Sequence, residues 1–349
     1  MKTVDYIIVG QGIAGSVLTH TLWEEGKSVF VFDLPEENMS SIVAAGLWNP
    51  IVLKRLKKVW QADPMIERVF QVYPRMEQVL GAKFFAPLPI TRIFHNPGEQ
   101  NVWMGQSAEA AFEEYLQGGI RDVEEPHSGD HGCADTLQTG RIKTGVMISG
   151  VRSRLMEQGL FKAVRVRPED VAQDEDGNFV IGSAVKAKRV IWCTGAQEAL
   201  RGEIMPTKSF SPVKGEVLGL RIDDAMPYPC VHQGHFMLEE EGGRATVGAT
   251  YAWDNLEGGA TAEKRNELEE HIQKVWKSGY EVVEHRVGVR PATRDRKPII
   301  GAVPGVEGQF IFNGLGSRGV LMAPWLAELF VGYLLRGTDL PSEVDPARF

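Results

Sequence analysis

Apolar residues in this chain follow two periods, and the switches between them mark out its elements. Tyr6 to Gly10, YIIVG, is an unbroken β-branched run, the pattern of a strand covered on both faces. SVLTHTLWEEG then carries apolar residues at helical spacing and stops at Gly26, where a glycine C-cap is expected. SVFVFD gives a second strand ending in Asp33. DPMIERVFQVYPRMEQVLG reads as an amphipathic helix broken or kinked at Pro74, and SGVRSRLMEQGL as another helix. Between Gly81 and Gly140 the pattern is mixed: PITRIFHN and QNVWMG predict strands, AEAAFEEYLQG a short helix and PHSGDHGC a loop. FKAVRVRPEDVAQDEDGNFVIGSAVKAKRVIWCTGA predicts a strand, a hairpin around DEDGN and a buried strand.

From KSFSPVKGEVLGLRI to VGATYAW strict alternation dominates, as in an antiparallel sheet. TAEKRNELEEHIQKVWKSG is the long helix of that region, with Thr261 as its N-cap. The last third holds a short strand before Arg290-Pro291, a proline-rich turn, then QFIFNGLGSRGVLMAP and a closing helix. A parallel opening followed by an antiparallel middle predicts an α/β chain with a second domain inserted into the first. The expected division assigns residues 1–80, 141–205 and 286–349 to a nucleotide-binding domain, and 81–140 and 206–285 to a substrate domain.

With 349 residues, 43% hydrophobic and 24% charged, the chain has the composition of an ordinary globular enzyme. Its net charge of −8 argues against a large nucleic-acid footprint, and LKRLKKVW is expected to be a solvated helix face. Cys133, Cys193 and Cys230 are widely spaced, without disulfide or metal-ligand spacing, which favours a reducing, cytoplasmic setting. Asp5 interrupts the opening apolar run, so no signal peptide is expected, and APWLAELFVGYLL, which contains Glu328, reads as too short to span a bilayer. His127, Asp130 and His131 are read as a solvated turn rather than a metal site.

The chemistry begins at Gly10-Gln11-Gly12-Ile13-Ala14-Gly15, which matches G-x-G-x-x-G between a strand and a helix. Gly10 permits the tight turn, Gly12 lets a pyrophosphate approach the backbone, and Gly15 lets helix and strand pack closely. Asp33, 18 residues beyond Gly15, stands where a carboxylate accepts ribose hydroxyls. The dinucleotide is a nicotinamide or a flavin, and the chain holds one such fingerprint. Ser40, Ser41, Ala44, Ala45 and Gly46 are small enough for a segment pressed against a flat ligand. Thr194, Gly195 and Ala196 end a buried strand on the phosphate side, while Gly314, Gly316 and Gly319 allow close backbone approach near a helix start.

In order along nearly the whole chain, the opening fingerprint, the SS…AAG segment, VIWCTGA, and the pair GVRPATRDRKPIIG with GLGSRGVLMAPWLAELF resemble the D-amino-acid oxidase family of flavoproteins. That family includes glycine oxidase and sarcosine oxidase. The tail is especially similar to the flavin domain of the bifunctional enzyme that makes 5-methylaminomethyl-2-thiouridine in tRNA. The resemblance implies a Rossmann-like FAD-binding domain of the glutathione-reductase type with an inserted antiparallel sheet plus helices. It implies oxidation of an amine, either an amino acid or an N-substituted glycine, with oxygen or another electron acceptor.

Carried over, Gly10, Gly12, Ile13, Ala14, Gly15, Asp33 and Leu34 would hold the ADP half of FAD, with the backbone of Asp170 or Val171 at the adenine. Ser40, Ser41, Ala44, Ala45, Gly46 and Leu47 would line the flavin, and Thr194, Gly195 and Ala196 the ribityl–phosphate region. Gly314, Leu315, Gly316, Ser317, Arg318, Gly319 and Val320 would wrap the ring edge. Arg290 would grip the substrate carboxylate and Arg318 would position the substrate beside the ring, a structural ion pair being the alternative for each. His232, His235 and Tyr251 are further pocket candidates. No cysteine or histidine lies in the flavin-facing segments, so the flavin is expected to be non-covalent. A tRNA-modifying flavoenzyme and a non-catalytic flavin-binding subunit are the alternatives, and the sequence leaves the oligomeric state open.

Overall fold

A computed structural model describes residues 1–34 and 39–349. The opening run forms β1 (Lys2–Val9), α1 (Ile13–Glu24) and β2 (Val29–Asp33), the strands lying parallel with Tyr6 opposite Val29 and Val9 opposite Phe32. On its other side β1 pairs in parallel with the strand Val185–Trp192, whose end is in turn parallel to Gln309–Asn313. Phe161–Ala163 extends the sheet beyond β2, and the DEDGN hairpin joins Val171–Gln173 to Phe179–Ile181 at the opposite edge. Both faces of this eight-stranded sheet are covered, counted among the described residues. Ile8 packs with α1 and the closing helix, while its neighbour Ile7 packs on the other side with Phe30, Phe32 and Trp192. That is why an alternating strand presents a continuous apolar run.

Seven strands build a second, mainly antiparallel sheet. Its order is Tyr280–Arg290, Val213–Ile222, Arg244–Gly248, His235–Glu240, Cys230–Gln233, Ile90–Ile93 and Cys133–Thr136. The helix Ala262–Val275 buries Leu268, Ile272 and Val275 against Leu218 and Leu220 on one face. Its N-cap is Thr261, whose hydroxyl accepts the Lys264 amide, as the sequence predicts. Alternation turns Val213, Gly215, Val217 and Gly219 to the other face, where Ile90, Cys230 and Leu238 meet Ala45, Leu47 and Leu53. The open face of the second sheet therefore lies toward the segment leaving β2. The expected boundary between 285 and 286 falls inside the strand Tyr280–Arg290, which pairs with Val213–Ile222 along its length.

Several local expectations are corrected. QNVWMG lies in a helix, Pro97–Ser107, because Asn96 accepts the Glu99 amide at 3.0 Å, Pro97 fills the first turn and Trp103 is buried. AEAAFEEYLQG forms successive turns instead of a helix. LKRLKKVW is not a helix face but a hairpin, with Ile51 opposite Lys58 and Leu56 buried at its turn. Pro74 sits inside one continuous helix, Ala62–Leu80. The closing helix runs Gly319–Arg336, 18 residues, long and apolar enough to cross a membrane, so its apolar stretch is not too short. It is mostly buried in protein, where Tyr73 donates to the Val320 carbonyl at 2.7 Å and Glu328 pairs with Arg68.

No metal-binding group of His, Cys, Asp or Glu occurs among the described residues. His127 is buried rather than solvated, its ring 5.0 Å from that of Trp276 and 5.7 Å from that of Tyr228. Burial pushes its pKa down to about 4. The unfolded chain protonates this imidazole near its ordinary value and the folded chain does not, so stability falls as pH drops from about 6.5 to about 4. His127→Phe should remove about 2–3 kcal/mol of that loss, read as a shallower fall of the urea midpoint with pH. An unchanged slope would show that other groups set it.

Candidate active site

The first glycine turn is fixed by contacts that leave no room for a side chain. Gly10 has φ +100°, and a Cβ there would lie 2.4 Å from the Cys193 carbonyl oxygen. A Cβ on Gly15 would lie 2.1 Å from the Gly10 carbonyl oxygen. Gly12 differs: its nearest neighbour would be the Ser41 hydroxyl at 3.0 Å, so the protein does not fill the space above it. No side chain caps α1, and the Ile13 amide donates to Ser41 Oγ at 3.0 Å. Ala14 is buried beneath this turn.

Asp33 ends β2, buried, while Leu34 beside it is exposed. The Gln11 amide donates to its Oδ1 at 3.0 Å, and Arg152 donates to its Oδ2 at 2.9 Å and to Gln11 Oε1 at 2.8 Å. Sequence reasoning missed this clamp, since Arg152 lies on the helix Thr144–Glu157, far along the chain. The Asp170 carboxylate is spent on a local turn, accepting the Arg167 amide at 2.8 Å, while Val171 packs against the cluster holding Val9 and Phe32.

At the other end, α2 (Ser40–Val43) leads through Ala44 to Gly46, φ +74°, whose Cβ would fall 1.8 Å from the Ile142 carbonyl oxygen. Leu47 then pairs with Arg141. Thr194 caps the short helix Gly195–Arg201; its Oγ1 is buried with no hydrogen-bond partner among the described residues. Asn313 Nδ2 donates to the Gly195 carbonyl at 3.2 Å, and its Oδ1 accepts the Gly314 amide at 2.7 Å. This second missed residue ties the Thr194–Ala196 turn to the late glycine turn. Gly314 and Gly316 have φ +77° and +56°, and Leu315 bridges to Ala292. Ser317 and Arg318 precede the closing helix, and a Cβ on Gly319 would lie 2.9 Å from Ile13 Cγ2. The two glycine turns, at opposite ends of the chain, touch.

Arg290 and Arg318 are each half-buried, and neither has an ion pair among the described residues. Arg290 Nη1 donates only to main-chain oxygens, Thr250 at 3.2 Å and Lys214 at 3.5 Å, and its guanidinium lies 4.5 Å from the centre of the Tyr251 ring. A Cβ on Gly215 would lie 2.2 Å from Arg290 Nη2, so that glycine, also unforeseen, makes room for the fork. Burial holds both guanidiniums below their ordinary pKa, opposed in each case by Tyr251 and, for Arg318, reinforced by Arg296. The structural ion pairs considered from sequence do not occur among the described residues. Two desolvated cations without a carboxylate favour a bound anion.

His232 is brought to Arg92, 2.9 Å from Nδ1, and burial pushes its pKa down to about 3. His235 faces a separate cleft with His95, His271 and Glu267, its Nε2 lying 3.4 Å from Glu267 Oε1. All three cysteines are buried and unpaired, and burial raises the Cys193 thiol pKa. FAD fits the residues present: the space above Gly12 is open and the buried Thr194 hydroxyl has no partner among the described residues, both beside glycine turns with no room for a side chain.

Comparison with known proteins gives the same picture. An uncharacterised oxidoreductase of Bacillus subtilis is 26% identical, over 98% of each chain. The glycine oxidase of Pseudomonas putida is 23% identical, over 98% of this chain and 97% of its own. The tRNA 5-methylaminomethyl-2-thiouridine biosynthesis bifunctional protein of Idiomarina loihiensis is 27% identical, over 57% of this chain and 34% of its own. Among solved structures, iminodiacetate oxidase from Chelativorans sp. BNC1 superposes with a TM-score of 0.80 at 20% identity, over 98% of both chains. The model of the DAO family, FAD dependent oxidoreductase, matches residues 5–332, and the chain belongs to that family.

Proposed function

We propose that this enzyme oxidises the C–N bond of a primary or secondary amine that carries a carboxylate, an amino acid or an N-substituted glycine. The observation that carries this reading is the pair Arg290 and Arg318, half-buried, desolvated enough to lower their pKa, and without ion pairs among the described residues. FAD, when bound, supplies the hydride acceptor, and oxygen or another acceptor takes the electrons onward. The chain's own contribution is orientation. Arg290 offers a bidentate fork to the carboxylate, and Arg318, at the start of the closing helix, adds a second positive charge. Gly215 keeps Arg290's approach clear. Amides at the helix start favour negative charge that develops nearby. No side chain is assigned as a general base. In this reading the FAD-binding domain is carried by the parallel sheet and the substrate domain by the antiparallel one. The unpaired, buried thiols support a reducing compartment.

A second reading, removal of a carboxymethyl group from a tRNA base, is favoured by one surface. The hairpin at Ile51–Lys58 exposes Lys54, Arg55 and Lys57 and leads to Trp60, over which Lys297 Nζ sits at 4.0 Å. Lys297 follows Arg296, whose charge acts on Arg318.

Anaerobic mixing tests both readings. The yellow flavin absorbance should bleach with glycine, N-methylglycine or iminodiacetate and persist with the corresponding amides. Bleaching by tRNA alone, lost steeply as salt rises, would favour the second. A flavin that stays oxidised with every amine and every RNA would reject both and leave a non-catalytic flavoprotein.

A further inference from the structure

Between Gly248 and Thr261 the chain forms a loop whose base is pinned and whose tip is aromatic. Lys214 and Ala252 exchange main-chain hydrogen bonds of 2.9 and 3.0 Å. Lys214 Nζ, on a side chain only 2% exposed, donates to the Gly259 carbonyl at 2.6 Å. Glu216, equally buried, accepts the Thr261 amide at 2.9 Å and its hydroxyl at 3.1 Å. Two buried charges, paired with each other at 3.6 Å, thus also hold one surface loop in place, Glu216 facing His285 as well at 2.8 Å. That loop presents Tyr251 and Trp253, which are 52% and 65% exposed. Their rings lie 6.3 Å apart at 26°, close to parallel. Tyr251 in turn covers Arg290, so guanidinium, phenol and indole form one ladder from the half-buried arginine to solvent.

A flexible loop would not keep two large aromatic rings in register in water, and no hydrophobic core requires them there. The ladder is placed to meet whatever part of the substrate extends beyond the carboxylate. We propose that Tyr251 and Trp253 form a specificity wall that selects amines bearing a planar, unsaturated ring on the nitrogen or the α-carbon. The inference rests on the amine-oxidising reading above and narrows its substrate class. A flat ring continues the stack face to face or edge to face, gaining an attraction that a puckered saturated ring of the same size does not.

The test compares kcat/KM for N-methylglycine, N-benzylglycine and N-(cyclohexylmethyl)glycine, with flavin content measured in every preparation. The wild-type enzyme should prefer the benzyl over the cyclohexylmethyl compound by roughly 3- to 10-fold. Trp253→Ala should erase that preference, and Trp253→Phe should retain most of it. Equal rates for the benzyl and cyclohexylmethyl compounds, or a preference untouched by Trp253→Ala, would overturn the wall while leaving amine oxidation intact. Should N-methylglycine and both larger amines all leave the wild-type flavin oxidised, amine oxidation itself fails and takes the wall with it.

Discussion

Replacing Arg290 with alanine is expected to lower kcat/KM for a carboxylate-bearing amine by about 30- to 3,000-fold. That range follows from removing one partner of a buried, hydrogen-bonded charge pair. The corresponding amide, which has no charge to grip, should react about equally poorly with both proteins. The loss should appear mainly in KM if the fork binds ground state and transition state alike, and in kcat if it fixes the reacting geometry. Arg290→Lys should recover little, because an ammonium offers a point charge where the site is shaped for a planar fork. Thermal stability should not suffer in the alanine variant, since Arg290 is a desolvated charge with no ion pair among the described residues. Unchanged kcat/KM for the carboxylate substrate would return Arg290 to a structural role.

The second large effect concerns the cofactor. Gly15→Ala places a methyl group 2.1 Å from the Gly10 carbonyl oxygen, a main-chain atom that can yield only if α1 moves away from β1. Overpacking of this kind costs roughly 1–3 kcal/mol, and it separates the amides at the helix start from the phosphates they are expected to face. The protein should purify nearly colourless, with a lowered melting temperature. Gly12→Ala makes the informative contrast. Its new methyl meets only the rotatable Ser41 side chain at 3.0 Å, so the fold should hold while FAD binds more weakly. The ratio of flavin to protein absorbance, read beside the melting temperature, separates the two. A yellow Gly15→Ala protein with unchanged melting temperature would contradict the close-packing role.

The parts of the fold that were legible from sequence are those whose cause is local. β1, α1 and β2 follow from an apolar run, a glycine turn and a helical period within the first 33 residues. The Thr261 cap and the DEDGN hairpin were equally readable. QNVWMG was misread because its aromatic and β-branched residues outweighed a cap lying just upstream, Asn96-Pro97 with Glu99. The basic hairpin was misread because lysine and arginine favour helices, while Leu56 is drawn into the core by tertiary packing. In the site, the glycines announced themselves by spacing. Arg152, Asn313 and Gly215 did not, since each acts on a residue more than seventy positions away and carries no motif of its own. The absence of ion pairs at Arg290 and Arg318 is likewise a property of the assembled molecule.

The contact between Ile13 and Gly319 has a consequence for the order of synthesis. The first glycine turn is made before the strand Gln309–Asn313 and the helix Gly319–Arg336 against which it closes. Flavin capture is therefore expected only after both turns have been made. A chain interrupted before Gln309 lacks both a strand of the parallel sheet and the helix that closes on Ile13, and is expected to hold no flavin.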